Sequence, residues 1–183
     1  MLNQERPKRQ RKRRKAPVQV PETAPEEIYV RVAEPEDEAG ILELARLVHH
    51  ENGLFALNEA KVVAMLRPAL YRIRGICGVI GEQGKLTGVI LLRVSNYWYS
   101  DTEFIEEMCI YVHPDYRHAA GGRARHLIEF AKKTADSLKM PLAIGVLSND
   151  RTDAKIALYE RHFGPQAGAF FLYGAKTGHG TLN

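Results

Sequence analysis

The stretch "YVHPDYRHAAGGRARHLIEFA", Tyr111 to Ala131, holds the residues best suited to chemistry. It opens as an apolar run, stops at Pro114, passes Gly121 and Gly122, and continues with Ala124, Leu127, Ile128 and Ala131 at helical spacing. Arg117, Arg123 and Arg125 flank the glycines, and no acid lies closer than Asp115 and Glu129. A helix N-terminus offers free backbone N–H groups and the positive end of the helix dipole, so anions bind there. Glycines remove side chains where backbone must approach a ligand, and the arginine fork suits phosphate oxygens. The chemistry this pattern offers is a grip on phosphate. A dinucleotide fold would need Gly-x-Gly-x-x-Gly and an acid about 20 residues later, and a P-loop would need Gly-Lys-Ser/Thr; neither is present. Two adjacent glycines alone fit a plain loop tip equally well.

The setting narrows the choice. "VHPDYRHAAGGRARHLI" resembles the acyl-CoA pyrophosphate loop of the GNAT family of N-acetyltransferases, Arg/Gln-x-x-Gly-x-Gly/Ala after a strand ending Val-x-Pro-x-Tyr. Arg117 takes the first position and Gly122 the last, while Ala120 replaces the first glycine and Arg125 replaces the usual leucine. A second stretch, "TDAKIALYERHFG", is similar to the family's Asn-x-x-Ala-x-x-Leu-Tyr-x-x-x-Gly-Phe. Leu158 and Tyr159 match it, Thr152 and Lys155 depart from it, and Phe163-Gly164 stands for the closing Gly-Phe. The resemblance covers residues 28–174 in element order and is sharpest over 106–131 and 152–164.

It implies a mixed, mostly antiparallel sheet with a splayed central strand and helices on both faces. It also implies acetyl-CoA as co-substrate, and a direct transfer to an amine. The cofactor would run along Ile110, Tyr111 and Val112, the thioester held by backbone of Ile110 and Val112. Its pyrophosphate would lie on Arg117, His118, Ala119, Ala120, Gly121, Gly122 and Arg123. Tyr159 falls where the family places a tyrosine beside the thiol sulfur, as acid for the departing thiolate. The implied acceptor is an amine-bearing small molecule or protein, and family members are often homodimers. A catalytically inactive acyl-CoA-binding domain is the alternative that the departures at Thr152, Lys155 and Phe163-Gly164 keep open.

An amine acceptor must also lose a proton. Strand alternation groups Phe104, Glu106, Met108, Ile110 and Val112 on one face, which makes Glu106 the expected base. Glu107 points the other way unless a bulge intervenes, and either carboxylate can act through an ordered water. By the same alternation Cys109 is out of phase with Glu106. "ENGLF" (51–55) and "NYWYS" (96–100) are the loops available to an acceptor, Trp98 and its tyrosines offering an apolar wall or a buried contact. His49-His50-Glu51 is not expected to hold a metal, because adjacent helical histidines diverge and no third ligand has suitable spacing.

The elements that must position these groups follow from spacing. Ile28 to Ala33 reads as a strand entering a helix near Pro35, with Ile41, Leu44, Ala45 and Val48 on one face. Asn58 caps a second helix running to about Arg72, which Pro68 should kink or shorten. "GICGVIGEQGKLTGVILLRV" reads as a hairpin, 104–112 as a strand, and "PLAIGVLSN" as another. "RTDAKIALYERHF" reads as a helix and "AGAFFLYG" as a last strand. The order β-α-α-β-β-β-α-β-α-β implies a mixed sheet covered on both faces.

Composition sets the outer bounds. The 183 residues are 45% hydrophobic and 26% charged, enough for one domain with a core, and no apolar run approaches a membrane span. No secretory signal is evident, and Cys77 and Cys109 sit in strand-like runs as expected of buried thiols, so a cytoplasmic location is expected. Residues 1–16 carry eight Lys or Arg against Glu5, a local +7, so the remainder sums to −3 within the total of +4. Residues 1–26 are therefore expected to form a disordered basic tail before an N-acetyltransferase domain over 27–183. Positions 6–15 could contact nucleic acid, a third function class.

Overall fold

The computed structural model describes residues 28–117, 122–148 and 151–173. Its centre is a five-stranded sheet in sequential order: β1 (Arg31–Val32), β2 (Gly75–Ile80), β3 (Gly88–Asn96), β4 (Glu103–Val112) and β5 (Leu142–Ala143). Neighbours pair antiparallel except β4 with β5, which run parallel. The parallel step requires a crossover, supplied by α3 (Arg123–Leu138).

Helices α1 (Glu38–Asn52) and α2 (Glu59–Leu70) cover one face. Ile41, Leu44, Leu66 and Leu70 join Cys77, Val79, Val89 and Tyr111 there. On the other face Ile80, Ile90, Leu92, Ile105 and Val112 pack with Leu127, Ala131 and Ala135 of α3. Gly78 lets the layers meet: a Cβ there would stand 2.8 Å from Phe130 Cε1 of α3. Both cysteines are free thiols, Cys77 buried and Cys109 half-buried. Among the described residues, no helix is long and apolar enough to cross a membrane.

Local signals placed the helices and the hairpin well. Asn58 Oδ1 accepts from the Lys61 N–H at 3.1 Å and so caps α2, which stops at Leu70, two residues past Pro68. The β2–β3 hairpin forms with Gly75 opposite Arg93 and Ile80 opposite Gly88. The strands that depend on distant partners are shorter than their sequences suggest. β1 is confined to Arg31–Val32, and β5 to Leu142–Ala143 rather than 141–149. Residues 167–173 form no strand: Phe171 and Tyr173 are 96% and 102% exposed. Their β-forming composition meets no sheet edge, and strand propensity without a partner has little effect.

Candidate active site

The glycine turn delivers a helix start. Gly122 is the residue before α3, in the left-handed conformation (φ 60°, ψ 49°), and its carbonyl accepts from the N–H groups of Arg125 (2.8 Å) and His126 (3.2 Å). A side chain at that φ would be strained. His118, Ala119, Ala120 and Gly121 lie outside the described residues. Arg117 and Arg123, both expected at the pyrophosphate, make contacts with the protein. Arg117 donates from Nε to the Val112 carbonyl (2.9 Å) and from Nη2 to both oxygens of Glu51 at the end of α1 (2.9 and 2.7 Å). Tyr111 donates its hydroxyl to the same Glu51 (2.7 Å) and lies under the Arg117 guanidinium. Arg123 is only 3% exposed, with Nε bonded to Thr87 Oγ1 (3.1 Å) and its guanidinium over the Tyr116 ring. Arginine's stem and fork make it a packing residue as readily as an anion ligand.

Strand β4 opens beside this turn. Its pairing with β5 ends at Glu106 opposite Ala143, so Glu107 to Val112 have β3 on one side and, among the described residues, no ladder on the other. The alternation expected along β4 does not hold. Leu91 faces Cys109 while Leu92 faces Glu107, so Met108 is the extra residue of a bulge. The bulge shifts the phase: Ile110 and Val112 share a face with Ile105, and Glu106 and Cys109 fall on the same side as Tyr111. Glu106, placed in phase with Ile110 and Val112 by sequence, is thus out of phase with them, and it is paired with Arg93 (Nη2 2.5 Å).

Glu107 has the more unusual setting. Burial pushes its carboxyl up to about 7, a Gly145 N–H donated from just beyond β5 opposes the shift, and the Glu106 charge adds to it. Tyr159 of α4 (Thr152–Phe163) lies within its electrostatic reach, the phenol held above its ordinary range by burial and then by Glu107 and Cys109. Burial likewise raises the Cys109 thiol to about 12, with Glu107 adding and Lys155 opposing. One carboxyl near neutrality and one firmly protonated phenol are therefore electrostatically coupled near the open stretch of β4, the combination that acid–base transfer requires.

Residues 22–164 match the family model described as acetyltransferase (GNAT) family. The chain belongs to the GNAT family. Solved structures share the fold: an acetyltransferase of Trypanosoma brucei has 19% identity and TM-score 0.57, covering 80% of this chain and 97% of its own. The ribosomal-protein-alanine N-acetyltransferase of Brucella melitensis biovar Abortus 2308 has 16% identity and TM-score 0.59, over 80% and 96%. The AAC(6')-Iy structure, in complex with a CoA-containing bisubstrate analogue, has 12% identity and TM-score 0.61, over 82% and 98%. No curated protein matches the sequence.

Asn52 and Ser148, beside Lys155 at this GNAT site, were not singled out by sequence. Lys155 Nζ donates to Ser148 Oγ (2.5 Å) and Asn52 Oδ1 (3.4 Å), and Ser148 Oγ donates to Asn52 Oδ1 (2.8 Å). Neighbouring residues of α1, Glu51 and Asn52, thus tie its end to both walls of the opening. The usable sequence signal was Lys155 itself, a departure from the GNAT pattern. The aromatic loop lies elsewhere: Tyr97 stacks on Phe104 at the start of β4, and Trp98 is 93% exposed. His49 Nε2 lies 2.7 Å from the Phe55 carbonyl in the 51–55 loop.

Proposed function

We propose that this GNAT chain transfers an acetyl group from acetyl-CoA directly to the amine of a small molecule or protein. One observation carries the reading: β4 loses its β5 partner after Glu106, beside the electrostatically coupled Glu107 and Tyr159, and α3 starts from a left-handed glycine. The fit to the donor rests on that same geometry. Gly122 lets backbone approach a diphosphate at the start of α3, and Ile110 and Val112 offer backbone groups where β5 has departed. Arg117 and Arg123 shape the turn through their protein contacts. Bound acetyl-CoA supplies the activated acyl carbon and a thiol leaving group.

Glu107 acts as base. At about 7 its carboxyl is half ionised at neutral pH, and it takes the acceptor's proton directly or through water. Glu106 stays with Arg93 and contributes by raising Glu107. Tyr159, kept protonated by its surroundings, donates from its hydroxyl to the sulfur. Cys109 lies on the Glu106 side of β4, but a thiol held up at about 12 is a poor nucleophile, which favours direct transfer over an acetyl-cysteine.

A second reading, a binding domain without catalysis, draws on Thr152 and Lys155, which depart from the GNAT pattern. One experiment tests both. Calorimetric titration with acetyl-CoA should show binding by the intact protein and by Tyr159→Phe, and loss of binding in Gly122→Glu, whose acid enters the turn at a strained φ. With acceptor screening, only the intact protein among these should turn over. No binding by the intact protein would refute the donor; equal turnover by Tyr159→Phe would refute the acid.

A further inference from the structure

Lys155 stands where the GNAT pattern has alanine, and its setting is built from three elements. It precedes Tyr159 by one turn of α4, so the two side chains leave the same helix face. Its ammonium donates to Ser148 Oγ at 2.5 Å and to Asn52 Oδ1 at 3.4 Å. Ser148 is held in turn, its hydroxyl on Asn52 (2.8 Å) and its carbonyl accepting from Thr152 Oγ1 (2.9 Å). α1, the segment after β5 and α4 therefore meet at one cation. Its charge is felt across the opening, where it opposes the upward shift of the Cys109 thiol on β4. A sulfur lying between Cys109 and Tyr159 would sit in the same field.

We propose that Lys155 is a positioning residue for the leaving group: its fixed ammonium, pinned by Ser148 and Asn52, stabilises the negative charge that develops on the donor's sulfur beside Tyr159. The proposal rests on the acetyl-CoA reading above. In the step, the acceptor nitrogen bonds to the acetyl carbonyl carbon and its proton passes to Glu107. The carbon–sulfur bond breaks with its electron pair on sulfur, and Tyr159 Oη supplies the proton that completes the thiol. Tyr159 then recovers a proton from solvent, to which Glu107 returns its own. Lys155 keeps its protons throughout. A cation here lets carbon–sulfur cleavage run ahead of protonation, which matters because burial makes the Tyr159 phenol a reluctant acid.

The test reads the sulfur. The thiol of coenzyme A bound to the intact protein is titrated by its thiolate absorbance, with the desulfo-coenzyme A complex as blank. It should titrate about one pH unit or more below the thiol bound to Lys155→Met. Lys155→Arg should keep most of that difference. Lys155→Gln, which retains a donor for Ser148 without the charge, should lose it even if Lys155→Met fails to fold. Equal midpoints in the intact, Met and Gln complexes would overturn the proposal and leave Lys155 a tie between helices, whatever the change in Tm. Absence of coenzyme A binding by the intact protein would instead overturn the donor reading, and the proposal with it.

Discussion

Glu107 owes its character to two neighbours and a strand that ends early. Burial raises its carboxyl from 4.5 to about 7, so between those values the folded chain holds a proton that the unfolded chain has released. Stability therefore falls as pH rises through that window, and the deficit persists above it. Glu107→Gln should remove this dependence: its Tm should rise relative to the parent as pH climbs from about 4.5 to about 7, by the equivalent of at most about 3 kcal/mol. The rate should move the other way. Parent kcat/KM should climb through an apparent pKa near 7 as the base ionises, whereas the variant should be flat and lower by about 100-fold or more. A parent profile without that rise would point to a different base, Glu106 first.

At the scale of elements, the start of the fold hangs on a short 3-10 turn, Pro35–Asp37, between β1 and α1. Asp37 is 2% exposed, accepts from Arg31 Nη1 and Nη2 at 2.7 and 2.8 Å, and accepts from the Glu34 N–H at 3.0 Å. The Arg31 hydrogen bond is the main reason its carboxyl lies below the usual value of 3.8. Its contribution is present above 3.8 and is lost as pH falls through the depressed folded value. Asp37→Ala leaves Arg31 and a backbone N–H without their acceptor and should cost about 3 kcal/mol by urea unfolding at neutral pH. An effect under about 1 kcal/mol would show that the exposed side of Arg31 lets water replace the carboxylate. The same element scale explains α1's reach into the site, since Glu51 and Asn52 lie in its last turn.

Across the whole molecule, charge is split between a basic first segment and a mildly acidic remainder. Residues 1–16 hold +7 of a chain total of +4. Their deletion should leave the acetyl-CoA titration unchanged, because none of the site groups belongs to them. It should abolish any salt-sensitive retention on heparin or RNA, which clustered Lys and Arg produce without regard to sequence. Retention that survives the deletion would place nucleic-acid contact on the body instead.

The sequence by itself determined what depends on near neighbours. Ile41 and Leu44 on one face of α1, the Asn58 cap, the β2–β3 hairpin, α3 after the glycines and α4 with Tyr159 were all legible, because each is set within a few residues. So was the GNAT pattern around Gly122 and Tyr159. Only the tertiary structure decided the bulge at Met108, the end of β5 at Ala143 and the absence of a strand over 167–173. Those are matters of pairing between distant segments, and a one-residue slip reverses every side chain beyond it. That slip took Glu106 out of phase with Ile110 and Val112. Contacts between residues 51 and 117, and between 52 and 155, likewise exist only in the tertiary structure. Local spacing chooses elements; the burial that tunes an acid or a base exists only once the layers have closed.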